Sequence, residues 1–133
     1  GDMVRLAPKG PKIISKERTG RLILDGDVIV AADGESMTQR RRASWNGVIN
    51  VSVALDEKGR LFGEPVIRTY GVPLEDDMDD FLDEATEEAE KATGKHNRDI
   101  EKLREAVRLA VRRTATRWTG KKPIVDVGIV EAA

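Results

Sequence analysis

Apolar residues recur along this chain with two different periods, and the change of period marks its elements. From Val48 to Leu55 the apolar side chains Ile49, Val51, Val53 and Leu55 share one side and Asn50, Ser52 and Ala54 the other, the pattern of a strand with one buried face. The turn Asp56-Glu57-Lys58-Gly59 sends the chain back through Leu61 to Tyr70, a second strand that Pro65 places at a sheet edge or a bulge. The period then lengthens. Leu74, Met78, Phe81, Leu82, Ala85 and Ala89 recur at helical spacing, as do Ile100, Leu103, Val107, Ala110, Val111, Thr114 and Trp118, which predicts two consecutive helices. Gly94 reads as the break between them, with a short connection from Thr93 to Asn97 and Asn97 as the amino-terminal cap of the second helix. Gly120 stops that helix and Pro123 forbids its resumption. A last strand follows at once, with Val125, Val127 and Ile129 on one side and Asp126 and Gly128 on the other.

Two antiparallel helices return the chain to the end of the sheet from which it left, so the last strand runs parallel to the first, and the first lies centrally. The expected fold class is α+β: a three-stranded mixed sheet with two antiparallel helices on one face, in the order β-β-α-α-β, preceded by an extended amino-terminal segment with short strands. Aromatic residues are scarce, so the core is expected to be built from Val, Ile, Leu and Ala, with Trp45, Phe62, Phe81 and Trp118 as its few large pieces.

The first 45 residues follow neither period. Pro8, Gly10 and Pro11 interrupt the chain, and a short apolar hairpin around Asp25-Gly26 runs from Arg21 to Val30. Leu22, Ile23, Leu24, Val28, Ile29 and Val30 are too few for a core of their own, so this segment is expected to lie on the following domain or on a larger neighbour. Ala31 to Glu35 reads as a linker. Beyond it come Arg40, Arg41 and Arg42, three consecutive cations that cannot share one face of a strand. The expected division is 1–45 and 46–133.

A net charge of −1 conceals a segregation along the chain: ten of the sixteen residues from Glu75 to Glu90 are acidic and none is basic, whereas Lys91 to Lys122 holds eleven Lys or Arg against Asp99, Glu101 and Glu105. The simplest account is two amphipathic helices with solvated faces that attract one another. The basic helix end is nevertheless the candidate for phosphate or RNA: Arg108, Arg112, Arg113, Arg117, Lys121 and Lys122, joined by Arg40 to Arg42. Arg108 with Arg112, and Arg113 with Arg117, are like-charge pairs four residues apart, each costing a helix about 0.2–0.5 kcal/mol unless an anion lies nearby. That anion is either RNA phosphate or a carboxylate of the acidic helix. The absence of aromatic residues interleaved with these cations argues against direct base stacking.

No catalytic constellation emerges. His96 is the single histidine, read as a solvated residue of the helix connection, and Ser15, Ser36, Ser44 and Ser52 have no histidine partner in a recognisable motif. With no cysteine, a thiolate metal site and a disulfide are both excluded, and carboxylates spread around a helix do not converge as an oxygen cage must. Phosphate-cradling glycine loops are absent. No apolar run approaches the length of a membrane span or a signal-peptide core, so a reducing, soluble compartment fits best.

Four segments in order carry a resemblance: Gly1-Asp2-Met3-Val4-Arg5-Leu6-Ala7-Pro8, Gly20-Arg21-Leu22-Ile23-Leu24-Asp25-Gly26, Gly47-Val48-Ile49-Asn50-Val51-Ser52-Val53 and Gly120-Lys121-Lys122-Pro123-Ile124-Val125. Together they resemble the carboxy-terminal portion of bacterial ribonuclease J. The resemblance implies a large cytoplasmic RNA-degrading enzyme, with a zinc-bearing metallo-beta-lactamase domain, an inserted beta-CASP domain, a linker and a small terminal domain. It implies that residues 1 to 30 close the lactamase-like domain, that residues near 31 to 45 form the linker, and that the rest folds as three strands on two helices. The family's HxHxDH motif has no counterpart here, so the expected catalytic and metal residues of this chain are none, and zinc is expected only in the parent enzyme. The resemblance further implies a non-catalytic role in self-association, a dimer being the first expectation. The outer sheet face then becomes the candidate assembly surface: Val48, Asn50, Ser52, Ala54, Asp126, Gly128 and Val130. A plain polar outer face weighs equally on the residues alone, and an independent RNA-binding module acting through the basic helix end is the alternative function.

Overall fold

The computed structural model describes residues 1–95 and 99–132, and the chain divides into two units between Gln39 and Arg40. In the first unit β1 (Asp2–Arg5) pairs antiparallel with β2 (Lys12–Lys16), and β3 (Leu22–Asp25) with β4 (Val28–Ala31). The second hairpin turns at Gly26, in the left-handed conformation at φ 61°, as the Asp25-Gly26 pair predicts. Both are isolated two-stranded ribbons that build no core: Leu22 and Leu24 are each 73% exposed.

A helix absent from the sequence expectation follows. Residues read there as linker and basic run form α1 (Glu35–Asn46), which crosses the unit boundary and buries nothing. Hydrophobic periodicity could not reveal it, because Met37, Ala43 and Trp45 are its few apolar residues; good helix formers such as Glu, Gln, Met and Arg carry it. Its end is set by Gly47, at φ 83°, whose N–H donates to the Ala43 carbonyl at 2.8 Å.

In the second unit β5 (Val48–Leu55) is central in the order β6-β5-β7, antiparallel to β6 (Val66–Tyr70) and parallel to β7 (Ile124–Glu131), as the strand and helix order predicts. The return strand is shorter than expected. Leu61 makes only an isolated bridge to Leu55, and β6 starts just after Pro65, which lacks a ladder donor. A single 3-10 turn (Glu75–Asp77) leads into α2 (Met78–Lys95), and α3 (Ile100–Thr119) follows. Gly94 does not break α2, which continues to Lys95; near a helix end glycine costs about 1 kcal/mol against alanine and can be carried. The cap of α3 is Asp99, whose Oδ1 accepts the Lys102 N–H at 3.2 Å; the expected cap Asn97, like His96, lies outside the described residues. Gly120 ends α3 at φ 68°, its N–H donating to the Thr116 carbonyl, as expected.

The core lies between the inner sheet face and these two helices. Ile49, Val51, Val53, Leu55, Val125 and Val127 meet Phe81, Ala85 and Ala89 of α2 and Leu103, Val107, Val111 and Ala115 of α3. Phe81 is fully buried and stands edge-on to Trp118, with ring centroids 6.3 Å apart. The buried hydroxyls of Thr93 and Thr114 donate to the carbonyls of Ala89 and Ala110, so neither is left unpaired. Trp45 and Phe62, expected in the core, are 73% and 72% exposed: Trp45 sits near the end of the polar helix α1 and Phe62 on the connection before β6, both outside the periods that point inward.

The parallel β5–β7 pair has a topological consequence. Both strands begin at the same end of the sheet, so the α1–β5 junction and the α3–β7 junction meet there. The Ile124 N–H donates to the Gly47 carbonyl at 3.1 Å, and the Lys122 N–H to Asn46 Oδ1 at 3.2 Å.

Candidate functional site

Two surfaces carry the candidate residues: the carboxyl end of α3, and the sheet face opposite α2 and α3. At the helix end the expected cations divide by partner. Arg108 makes a two-pronged pair with Glu105 at 2.6 and 2.8 Å. The hydrogen bonds from Arg108 hold the Glu105 carboxyl below the usual glutamate range and raise the guanidinium in return. Arg117 reaches Glu84 of the acidic helix at 2.5 Å, and the other Glu84 oxygen accepts the Trp118 indole N–H at 2.6 Å. Glu84 is therefore held below its ordinary range, first by the indole and then by Arg117. The anions that the two like-charge pairs required are, for Arg108 and Arg117, carboxylates of this protein.

The remaining cations at this helix end and turn differ. Among the described residues no ion pair joins Arg112, Arg113, Lys121 or Lys122 to a carboxylate. Arg112, Arg113 and Lys122 line one shallow depression with Leu109, Thr116 and Arg117. Lys121 instead lies over Trp45, its Nζ 4.0 Å from the ring centroid. Arg40, Arg41 and Arg42 are exposed on α1, about 100° apart around the helix rather than on one face. Sequence reasoning missed Trp45 as a surface residue. The available signal was its place between a largely polar segment and Gly47, one residue before the β5 alternation begins.

The second surface is the outer sheet face. Cross-strand register orders it in rows: Tyr70, Val48 and Ile124; then Arg68, Asn50 and Asp126; then Val66, Ser52 and Gly128; then Ala54 and Val130. The expected residues are thus brought together, and β6 adds three side chains that sequence reasoning left out. Tyr70, Val66 and Val130 are 63%, 53% and 69% exposed, so apolar surface brackets the polar second row and the small Ser52–Gly128 pair. Among the described residues no strand pairs with the outer edge of β7, eight residues long and holding neither Lys nor Pro, whereas the opposite edge, β6, is five residues long and follows Pro65.

Among the described residues no group of three or more His, Cys, Asp or Glu could hold a metal ion. Among the described residues no helix is long and apolar enough to cross a membrane.

Residues 35–132 match the family described as Ribonuclease J C-terminal domain. The chain is also 37% identical, over 136 aligned positions, to a protein named Ribonuclease J from Sinorhizobium meliloti; the match covers 98% of this chain and 24% of that relative's length.

Proposed function

This chain belongs to the ribonuclease J C-terminal domain family, and from that premise we propose that it is the non-catalytic terminal portion of a ribonuclease J-like RNA-degrading enzyme, serving homo-oligomer assembly. The hydrolytic chemistry belongs to the rest of the parent enzyme, a cytoplasmic protein whose lactamase-like domain holds zinc through its own residues. The observation that carries the assembly role is the outer sheet face together with the unblunted β7 edge. Natural sheets protect long edges with Lys, Pro or bulges, and β7 uses none of these. The bracketing of Ser52 and Gly128 by Val66, Tyr70 and Val130 supports the same reading, because small residues let a second backbone approach while apolar neighbours leave water.

The test places a long charged side chain in the middle of the face. Gly128 has ordinary extended backbone, and a Cβ there would meet nothing closer than the Val51 carbonyl at 4.0 Å; Ser52 is already exposed. Ser52→Arg and Gly128→Arg are therefore expected to leave the far-UV circular dichroism unchanged while shifting the sedimentation coefficient from dimer to monomer. Dimers that persist in both variants would remove this face from the assembly.

A further inference from the structure

We propose that the corner where α1 meets the α3–β7 turn binds single-stranded polynucleotide, with Trp45 as the stacking platform for a base and Lys122, Arg112 and Arg113 as the phosphate track. A sequence-tolerant single-strand site needs aromatic faces beside cations that follow the backbone. The sequence separates these residues by more than sixty positions, and the fold unites them through the shared starting end of β5 and β7.

Three observations carry the inference. Trp45 is 73% exposed, and one ring face holds Lys121 at 4.0 Å, so the rest of this large apolar surface is left in water with a cation already beside it. The corner is braced, because Asn46 accepts from the Lys122 N–H and Gly47 from the Ile124 N–H, while Gly47 itself is seated against Gly71. A braced platform loses little conformational freedom when a ligand arrives. Finally, charge is available where it is needed: Arg108 and Arg117 are neutralised by Glu105 and Glu84, but Arg112, Arg113 and Lys122 converge on one depression without an ion-paired carboxylate among the described residues. Lys121 and Lys122 are consecutive, so the track leads from the indole into that depression. The site is separate from the sheet face and does not rest on the assembly role.

The experiment is a fluorescence anisotropy titration of the full chain with short labelled oligouridine, oligothymidine and an RNA duplex. Oligouridine is expected to bind, with the duplex weaker; oligothymidine weaker than oligouridine assigns the site to RNA, and equal binding assigns it to single strands of either sugar. Trp45→Ala should weaken oligouridine binding about 5- to 150-fold, the loss of one base–aromatic stack, while Trp45→Phe keeps most of the affinity. Arg112→Glu with Arg113→Glu should weaken binding and flatten its salt dependence. Because Trp45 is exposed, its replacement leaves the core intact, which circular dichroism checks. Unchanged affinity in Trp45→Ala, a duplex bound as tightly as the single strand, or no binding of any oligonucleotide each overturns the proposal.

Discussion

Gly47 joins α1 to β5 at the corner on which both surfaces depend, and replacing it with alanine tests how that corner is held. Its φ is 83°, a left-handed conformation that costs a residue with a side chain about 1–2 kcal/mol. An added Cβ would also lie 2.7 Å from the Gly71 carbonyl oxygen, 2.8 Å from the Gly71 carbonyl carbon and 2.8 Å from Val72 Cγ2. Two of these atoms are backbone, so no rotamer change relieves them, and Val72 is itself buried. Overpacking of this kind adds about 1–3 kcal/mol, for a total of about 2–5 kcal/mol. Gly120→Ala is the internal control. Its φ is 68°, but nothing lies within 4 Å of the added Cβ, so it bears the conformational cost alone. Both substitutions restrict the unfolded chain equally, and that contribution cancels in the comparison. Urea denaturation of the two variants, followed by far-UV circular dichroism, reads the difference as a gap between midpoints at common slope. Gly47→Ala must fall below Gly120→Ala by the overpacking cost; equal midpoints would refute the claim that Gly47 is seated against the Gly71 backbone.

Other consequences are as direct. Phe81→Ala, which empties a fully buried site against Trp118, is expected to cost about 3–5 kcal/mol in the same denaturation assay. Gly128→Ala, on open extended backbone, is expected to be neutral or to stabilise by about 0.4–1 kcal/mol, chiefly by restricting the unfolded chain. Glu84 is held low by Trp118 and Arg117, so its folded pKa lies below its ordinary, unfolded value. Its contribution is present above that pH and lost as pH falls through the folded value; Glu84→Gln should therefore flatten the acid limb of melting temperature against pH and leave the neutral-to-alkaline range parallel to wild type.

The sheet order, the parallel β5–β7 pair and the two core helices were legible because each buries one face, and burial writes a period into the residues that face inward. Ile49 to Leu55 and Leu103 to Val111 are such records. Helix α1 left no record because it buries nothing; its polar residues satisfy a helix through propensity alone, which an apolar pattern cannot register. Gly94 misled because glycine near a helix end marks either a stop or the last turn, and only the following backbone decides. The cap moved from Asn97 to Asp99 for a related reason, both residue types being good caps within one turn. The partnering of the basic residues was partly legible. The like-charge spacing required nearby anions, and Glu84 and Glu105 supply them for two of the cations. What no spacing could reveal is the meeting of Trp45 with Lys121, which depends on two junctions brought together by strand pairing. The same holds for Tyr70, Arg68 and Val66, which join the outer face only through the register of β6 on β5.

The measurement closest to the central claim is the molar mass of the chain by light scattering after size exclusion, over a concentration series at low and high salt. Assembly through the sheet face, where Arg68 and Asp126 are the charged residues of one row and the other rows are uncharged, predicts a concentration-dependent dimer that survives high salt, since burial of apolar surface is not screened. A dimer dissolved by salt would transfer the contact to the acidic and basic helices, and a monomer at every concentration would contradict the account.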